Sequence, residues 1–150
     1  EIIGKDPEKW RPKTRETADH SLPYCTAVAL IDGAVTADQF SDARLNDSDL
    51  IALVNRTTVV EDPALTAGYP AGIPNRIKVV LNDGRVIEGE MAFPPGHDKN
   101  PLTDAQLAVK FHGLADAPLG VAAADAIWKR IMNLENDPTP HEAIPLVKPI

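Results

Sequence analysis

The pattern of polar and apolar positions is sharpest near residue 20, where a polar segment leads into the longest apolar run of the chain. Residues 16–33 read ETADHSLPYCTAVALIDG. Ser21 is the best candidate for a helix N-cap, because it places Pro23 in the first turn, where a missing N–H is tolerated. Gly33 follows the run and is typical of the left-handed residue that ends a helix. The pattern therefore predicts a helix between Ser21 and Gly33.

The start of this helix has two interpretations. In the first, the helix is simply buried, Tyr24 is a half-buried aromatic residue and His20 is a solvated neighbour. In the second, the free N–H groups and the positive dipole end of the helix bind a carboxylate, with the phenol and the imidazole beside it. The local pattern does not choose between them.

Shorter elements follow as far as residue 74. Thr36 is a candidate cap for a short helix that reaches Phe40, and Asp47 is a candidate cap for a second helix. The residues from Thr57 to Glu61 are mostly β-branched, which predicts a strand. Residues 62–74 hold several prolines and glycines, so a long irregular loop is expected there, of the kind that often lines a site or an interface.

A β-hairpin is predicted over about residues 76–92. The two apolar or alternating segments flank Asn82, Asp83 and Gly84, a turn sequence typical of hairpins. The alternation predicts one buried face and one partly solvated face, as in an antiparallel sheet covered by helices. Gly89 suggests a bulge in the second strand.

The C-terminal third predicts two further helices. Thr103 and Gln106 have the spacing of a capping box, and residues 120–134 form a final helix with an apolar face. The turn before the first of these helices holds His97, Lys99 and Asn100, which form either an anion site or an ordinary polar loop. With the hairpin, this order predicts an α+β fold: a small antiparallel sheet packed against several helices.

Chain length, net charge and cysteine content restrict the classes of function that this chain can have. The chain has 150 residues and a formal net charge of −7, so it is about one domain in size and lacks the basic surface that nucleic acids require. No apolar run approaches the length of a membrane span. Cys25 is the only cysteine, so no internal disulfide and no zinc site are expected, and a reducing, cytoplasmic setting fits best.

Charge is unevenly distributed. Four cations fall within residues 9–15: Lys9, Arg11, Lys13 and Arg15. With two prolines nearby, residues 1–15 are interpreted as a basic connector, followed by an α+β domain at 16–134 and a proline-rich tail at 135–150. The cations either form a solvated connector or attract a small polyanion towards the helix start.

Two long segments together resemble a known family. The first reads KWRPKTRETADHSLPYCTAVALIDGAVTADQF, and the second reads HDKNPLTDAQLAVKF. Together they resemble the C-terminal part of the MmgE/PrpD family, in particular the bacterial 2-methylcitrate dehydratases. The resemblance runs in order from about Trp10 to Leu114. It implies a lyase or isomerase that needs no cofactor or metal and acts on di- or tricarboxylic acids. It also implies a homodimer in which a large helical domain and a smaller α+β domain enclose the active site.

The resemblance also suggests roles for particular residues. Tyr24 matches the tyrosine that closes the HSLPY-like motif at the active site of the family, so it is the candidate catalytic residue. His20, Ser21 and Arg15 are candidates for binding substrate. Most catalytic histidine, lysine and aspartate residues of the family lie in the helical domain or in a segment upstream of Glu1, so the isolated chain is expected to be inactive.

The implied reaction is dehydration of 2-methylcitrate, or a related tricarboxylate, to 2-methylaconitate. One alternative is another reaction of the family, either decarboxylation of cis-aconitate or an epimerisation. The other is a binding or interaction module of α+β type without catalysis. The expected partners are the small tricarboxylate and the helical domain of the same enzyme; nucleic acid and membranes are not expected.

Overall fold

A computed structural model describes residues 4–142. The chain divides into two units, Glu1–Pro63 and Ala64–Ile150. Helices dominate, and one antiparallel hairpin is present, so the predicted α+β class is confirmed. Within the described residues, no helix has both the length and the apolar character needed to cross a bilayer. Residues 143–150, which make up half of the predicted tail, lie outside this description.

The first unit is built from short helices. In chain order they are α1 (Pro7–Trp10), α2 (Arg15–Asp19), α3 (Leu22–Asp32), a 3₁₀ helix (Ala37–Phe40), α4 (Asp42–Leu45) and α5 (Ser48–Asn55). The segment predicted as a connector contains α1, and its Lys9 and Pro12 are buried. Residues 7–12 are thus part of the packed unit.

The predicted helix boundaries in this unit are confirmed. Ser21 caps α3, and Gly33 ends it with a φ of 69°, in the left-handed region. Thr36 caps the 3₁₀ helix, and Asp47 caps α5 by accepting hydrogen bonds from two backbone amides. Each cap satisfies donors that the first helical turn leaves free.

The core of the first unit lies where α3 and α5 pack together. Its buried hydrophobic residues are Ala18, Tyr24, Ala27, Val28, Leu45, Leu50 and Val54, with Trp10, Phe40 and Leu53 partly buried against them. Burying a side chain such as that of Leu50 stabilises the fold by about 1.5–3 kcal/mol. This cluster is therefore the main stabilising feature of the unit.

The predicted strand at residues 57–61 is wrong. The structure assigns no secondary structure to these residues, and Val60 is exposed. Branching at Cβ favours a strand only where a neighbouring strand supplies hydrogen bonds and a packing surface. No strand pairs with this segment among the described residues.

The second unit contains the sheet and two longer helices. Its elements are α6 (Pro63–Thr66, which starts at the boundary between the units), β1 (Asn75–Val80), β2 (Val86–Met91), α7 (Asp104–Leu119), α8 (Val121–Ile131) and a final 3₁₀ turn (Leu134–Asn136). The loop predicted at 62–74 therefore contains a short helix.

The hairpin forms as the turn sequence predicted. The Gly84 amide donates to the Leu81 carbonyl, and the Leu81 amide donates to the Arg85 carbonyl. Gly84 has a φ of 85°, which glycine adopts without strain. Pairing is continuous from Asn75 opposite Met91 to Val80 opposite Val86, so the bulge predicted at Gly89 is wrong.

The two faces of the hairpin differ in chemistry, but neither is buried. One face places Val79 opposite Ile87, whereas the other carries the cross-strand ion pairs Arg76–Glu90 and Lys78–Glu88. Both strands are exposed at nearly every position. The expectation of one buried face is wrong for this chain, because within the described residues nothing covers the apolar side.

Helices α7 and α8 pack side by side. Thr103 and Gln106 form the predicted capping box at the start of α7, and Gly120, with a φ of 80°, separates the two helices. Ala124 and Ile127 of α8 are buried. After α8, Arg130 donates hydrogen bonds to the Asp137 carboxylate and the Thr139 carbonyl, which fix the following turn against the helix.

Candidate functional site

Ser21 has a structural role at the start of α3. Its side chain is 1% exposed. Its hydroxyl donates to the Lys9 carbonyl and accepts the Tyr24 amide at 3.1 Å. Ser21 therefore joins the α1 segment to α3, and the donor and one acceptor position of its hydroxyl are used inside the protein. The substrate-binding role of Ser21 stays a prediction.

The first turn of α3 offers few free donors. Pro23 has no N–H, the Tyr24 amide is bonded to Ser21 Oγ, and the Cys25 amide donates to the Ser21 carbonyl at 2.9 Å. Among the first amides of the helix, only that of Leu22 has no acceptor within residues 4–142. A carboxylate-binding helix start needs several convergent N–H groups, and in this chain those groups are mostly engaged.

Tyr24 lies in the core of the first unit. Its side chain is 2% exposed, its ring centroid is 5.9 Å from that of Phe40, and its hydroxyl donates to the Gln39 carbonyl at 2.7 Å. Burial raises the pKa of the phenol, and the nearby Arg44 only partly opposes this effect. Within this chain the ring is therefore enclosed by protein, and its hydroxyl is bonded to the backbone. The catalytic role of Tyr24 stays a prediction.

His20 and Arg15 are the accessible members of the predicted set. The His20 side chain is 60% exposed, and Nδ1 contacts the Asp19 carboxylate and lies 3.1 Å from the Glu16 carbonyl. The hydrogen bond to Asp19, followed by that to Glu16, raises the pKa of His20. Arg15 begins α2, is exposed, and has no carboxylate partner within the described residues. These two side chains reach solvent, whereas Ser21 and Tyr24 do not.

Arg44 is an ion-pair centre that the sequence analysis missed. Its guanidinium donates to Asp32 at 2.6 Å and also contacts Asp47. Asp32 ends α3 and Asp47 caps α5, so one arginine connects the two helices that form the core. Backbone amides at the start of α5 and Arg44 together lower the pKa of Asp47. The i, i+3 spacing of Arg44 and Asp47 was the available sequence signal.

His112 is a second residue that the sequence analysis missed. On α7, its Nδ1 lies 2.8 Å from the Asp116 carboxylate, and its Nε2 lies 3.7 Å from Asp125 of α8. The Phe111 and Trp128 rings pack beside it. The i, i+4 spacing to Asp116 is readable in the sequence, but the contact across to α8 is not. The ring links the two helices through polar contacts and packing.

The turn before α7 is closely organised around Phe93. His97 lies with its ring centroid 4.9 Å from that of Phe93, and the Lys99 ammonium is 4.9 Å from the same centroid. Asn100 Nδ2 donates to the Phe93 carbonyl at 2.9 Å. His97 also contacts the carboxylate of its neighbour Asp98. This turn therefore presents an ordered imidazole and an ordered ammonium.

Cys25, the single cysteine of the chain, is partly buried. Burial raises the pKa of Cys25, and its sulfur lies 3.5 Å from the Ala18 carbonyl, so the thiolate form is disfavoured. Across residues 4–142, no group of three or more histidine, cysteine or acidic residues has an arrangement that would hold a metal ion. A shallow depression on the hairpin is lined by Arg76, Glu88, Gly89 and Glu90.

Comparison with known proteins gives a consistent result. Residues 1–136 match the family described as MmgE/PrpD C-terminal domain. The chain is 30% identical to a cis-aconitate decarboxylase-like protein, oryM, of Aspergillus oryzae over 96% of this chain and 29% of that protein. It is 38% identical to a 2-methylcitrate dehydratase of Cupriavidus necator over 61% of this chain and 20% of that protein.

A human relative extends the comparison. The chain is 25% identical to human cis-aconitate decarboxylase over 83% of this chain and 26% of that protein. In all three cases the chain spans less than a third of the relative's length. Because the family match covers most of the chain, the resemblance seen in the sequence is confirmed: the chain belongs to the MmgE/PrpD family, whose C-terminal domain it contains.

Proposed function

We propose that this chain is the C-terminal α+β part of a lyase that dehydrates 2-methylcitrate, or a related tricarboxylate, to 2-methylaconitate. The observation that carries the proposal is the 34–38% identity to proteins named 2-methylcitrate dehydratase, over 53–61% of the chain. The lyase class follows from the names of these relatives. The choice of substrate and the need for a further helical domain belong to the proposal.

The chemistry defines what the site must provide. A base removes a proton from the carbon next to a carboxylate, a C=C bond forms, and the hydroxyl leaves as water after receiving a proton from an acid. Several substrate carboxylates must be held so that the two groups eliminate in the correct geometry. Cations at accessible positions suit the second requirement.

His20 and Arg15 are the proposed carboxylate-binding residues of the first unit. Both are exposed, and the raised pKa of His20 favours its charged form. Tyr24 is proposed to donate a hydrogen bond or a proton to the leaving oxygen. For that role its hydroxyl has to leave the Gln39 carbonyl that it contacts in this chain. The proposal for Tyr24 therefore includes a rearrangement of residues 36–40 in the complete site.

Decarboxylation of cis-aconitate is the second candidate. The relative named cis-aconitate decarboxylase-like protein aligns with 96% of the chain, a larger share than any of the dehydratases quoted above. Both reactions begin from a small polycarboxylate, so the same cations would serve either one. The acid and base groups decide whether a C–C bond or a C–O bond breaks, and we propose that these groups lie mainly in the helical domain.

The direct test is a substrate panel on the complete gene product. We expect formation of 2-methylaconitate from 2-methylcitrate, followed by absorbance of the new C=C bond, with slower or no release of CO₂ from cis-aconitate. Faster release of CO₂ would favour the second candidate, and turnover of neither would overturn the proposal. The chain of residues 1–150 alone is expected to be inactive, and turnover by it would contradict the requirement for a helical domain.

Variants at the proposed binding residues refine the test. His20→Ala and Arg15→Ala should each raise KM with a smaller effect on kcat, because they remove charge that binds the substrate in both the ground and transition states. Arg56→Ala is the matched control, since Arg56 is exposed and has no carboxylate partner within the described residues. Equal KM values for all three variants would remove His20 and Arg15 from the site.

The proposal also covers the oligomeric state, the cellular compartment and the metabolic role that the resemblance implies. We propose that the complete enzyme is a homodimer, that it works in the cytoplasm, and that it belongs to propionate catabolism. Light scattering on the purified complete product checks the first point, and a monomer that turns over substrate would contradict it.

A further inference from the structure

The turn before α7 holds a cation that has no acidic partner. Within residues 4–142, no carboxylate pairs with the Lys99 ammonium, although the chain as a whole is acidic. The neighbouring carboxylate of Asp98 contacts His97 instead. The ammonium lies 4.9 Å from the centroid of the Phe93 ring. A cation–π contact of this kind holds the side chain in place without neutralising its charge.

The backbone of the turn is fixed as well. The Asn100 amide donates to the His97 carbonyl at 2.8 Å, and the Gly96 amide donates to the Asn100 carbonyl at 2.8 Å. The Lys99 amide lies 3.1 Å from His97 Nδ1, the same nitrogen that contacts the Asp98 carboxylate. Gly96 has a φ of 96°, a conformation that other residues rarely adopt. The turn is thus a rigid frame for the Lys99 ammonium.

Order of this kind matters for binding. An exposed lysine normally loses rotational freedom about several side-chain bonds when it binds an anion, and this entropy loss weakens the interaction. Here the side chain is already ordered against Phe93, and the Phe93 carbonyl is held by Asn100. An anion that met Lys99 would therefore bind with less loss of entropy than at an ordinary surface lysine.

We propose that Lys99 binds a carboxylate of a small polycarboxylate and that Phe93 positions it for this purpose. The choice of a tricarboxylate as ligand rests on the proposed function. The proposal assigns a binding role to the turn at residues 93–100, which the family match and the names of the relatives do not assign.

The test uses the 150-residue chain and tricarballylate, a tricarboxylate without a hydroxyl to eliminate. The lysine side chains are followed by NMR during titration. We expect the Lys99 signals to shift selectively. Lys99→Met should weaken the apparent affinity about tenfold, as expected for loss of a charged hydrogen bond. Lys110→Met is the matched control, because Lys110 is exposed on α7 and has no partner among the described residues; this variant should bind like the parent.

Two further variants separate charge from positioning. Lys99→Arg keeps the charge and should retain most of the affinity. Phe93→Leu keeps Lys99 but removes the ring, so its affinity should fall between those of the parent and Lys99→Met. Equal shifts of all exposed lysines, no shift at Lys99 in millimolar tricarballylate, or unchanged affinity in Lys99→Met would each overturn the proposal.

Steady-state kinetics of the complete gene product distinguish this proposal from the proposed function. If Lys99→Met raises KM while kcat is largely kept, Lys99 binds substrate. If the variant keeps its KM but loses its assembly, Lys99 pairs with a carboxylate of the protein, and the proposal is wrong. If the complete product turns over neither 2-methylcitrate nor cis-aconitate, selective binding of tricarballylate at Lys99 would still stand.

Discussion

At the scale of single residues, the environment of each candidate decides what it can do. Tyr24 and His20 are four positions apart, yet one is buried with its hydroxyl bonded and the other is exposed beside a carboxylate. Desolvation raises the pKa of the phenol, whereas hydrogen bonding to Asp19 raises the pKa of the imidazole. The same helix start therefore holds a neutral donor and a group that favours the charged form.

The first prediction concerns the titration of His20. Asp19→Asn should lower the pKa of His20, because the amide removes the negative charge and the strongest hydrogen bond to the protonated ring. NMR of the ring protons measures it, and Asp38→Asn, an exposed acid on the 3₁₀ helix, is the control. An unchanged titration curve in Asp19→Asn would contradict the contact.

The raised pKa of His20 also sets the sign of a stability effect. The folded chain binds the proton more tightly than the unfolded chain, so the contribution is fully present below the unfolded pKa of about 6.5. It is lost as the pH rises through the higher folded value. Because the ring is well exposed to solvent, screening keeps the effect small.

The second prediction separates two roles of Tyr24. Tyr24→Phe removes the hydrogen bond to the Gln39 carbonyl and should lower the free energy of unfolding by about 0.5–1.5 kcal/mol. Tyr69→Phe is the control, since Tyr69 is 71% exposed. In the complete gene product, turnover is the second measurement. A stable variant with unchanged turnover would leave Tyr24 with a structural role only.

At the scale of elements, the turn at residues 93–100 depends on what packs against Phe93. A Cβ atom built at Gly72 would lie 2.9 Å from the Ala92 carbonyl and 2.9 Å from the Phe93 ring. Gly113, inside α7, would have no atom within 4 Å of its added Cβ. A side chain at position 72 would therefore clash with its neighbours, whereas a side chain at position 113 would not.

The third prediction follows from this difference. Gly72→Ala should destabilise the chain by about 1–3 kcal/mol, because the backbone carbonyl at position 92 has to move. Gly113→Ala should stabilise it by about 0.5–1 kcal/mol, because alanine loses less freedom in a helix. Denaturant unfolding measures both, and destabilisation of similar size in the two variants would contradict the packing around Phe93.

At the scale of the whole molecule, the two units bury their apolar residues to different extents. The first unit encloses a cluster around Leu50, which is fully buried. In the second unit, much of the apolar surface of the hairpin is open, and Ile87 is 56% exposed. The relatives from Aspergillus oryzae and Cupriavidus necator are more than three times as long as this chain. The proposed helical domain would be part of that additional length and would cover such a surface.

The fourth prediction compares the two surfaces. Leu50→Ala should cost about 2–5 kcal/mol through lost burial and the cavity it leaves. Ile87→Thr, which keeps branching at Cβ, should change the stability of this chain by no more than about 0.5 kcal/mol. Trp10 and Trp128 lie in different units, so variants that keep only one of them report each unit's unfolding by fluorescence. A large loss in Ile87→Thr would mean that the hairpin face is covered.

The sequence by itself determined the local elements and the family. The caps at Ser21, Thr36, Asp47 and Thr103 and the turn at Gly84 were predictable because their hydrogen bonds join residues two to four positions apart, a range that the sequence pattern encodes directly. The segments around HSLPY and HDKNPLTDAQ were long enough to indicate the family, and the comparison confirmed it.

Tertiary structure alone decided burial and long-range pairing. The segment expected as a strand at residues 57–61 pairs with no other strand in the described part of the chain. The hairpin face expected to be buried is exposed, and Tyr24 lies in the core of the first unit. The contact between His112 and Asp125 was likewise not predictable from the sequence. Each of these outcomes depends on which distant residues approach, and the spacing of polar and apolar residues within one segment carries no information about that.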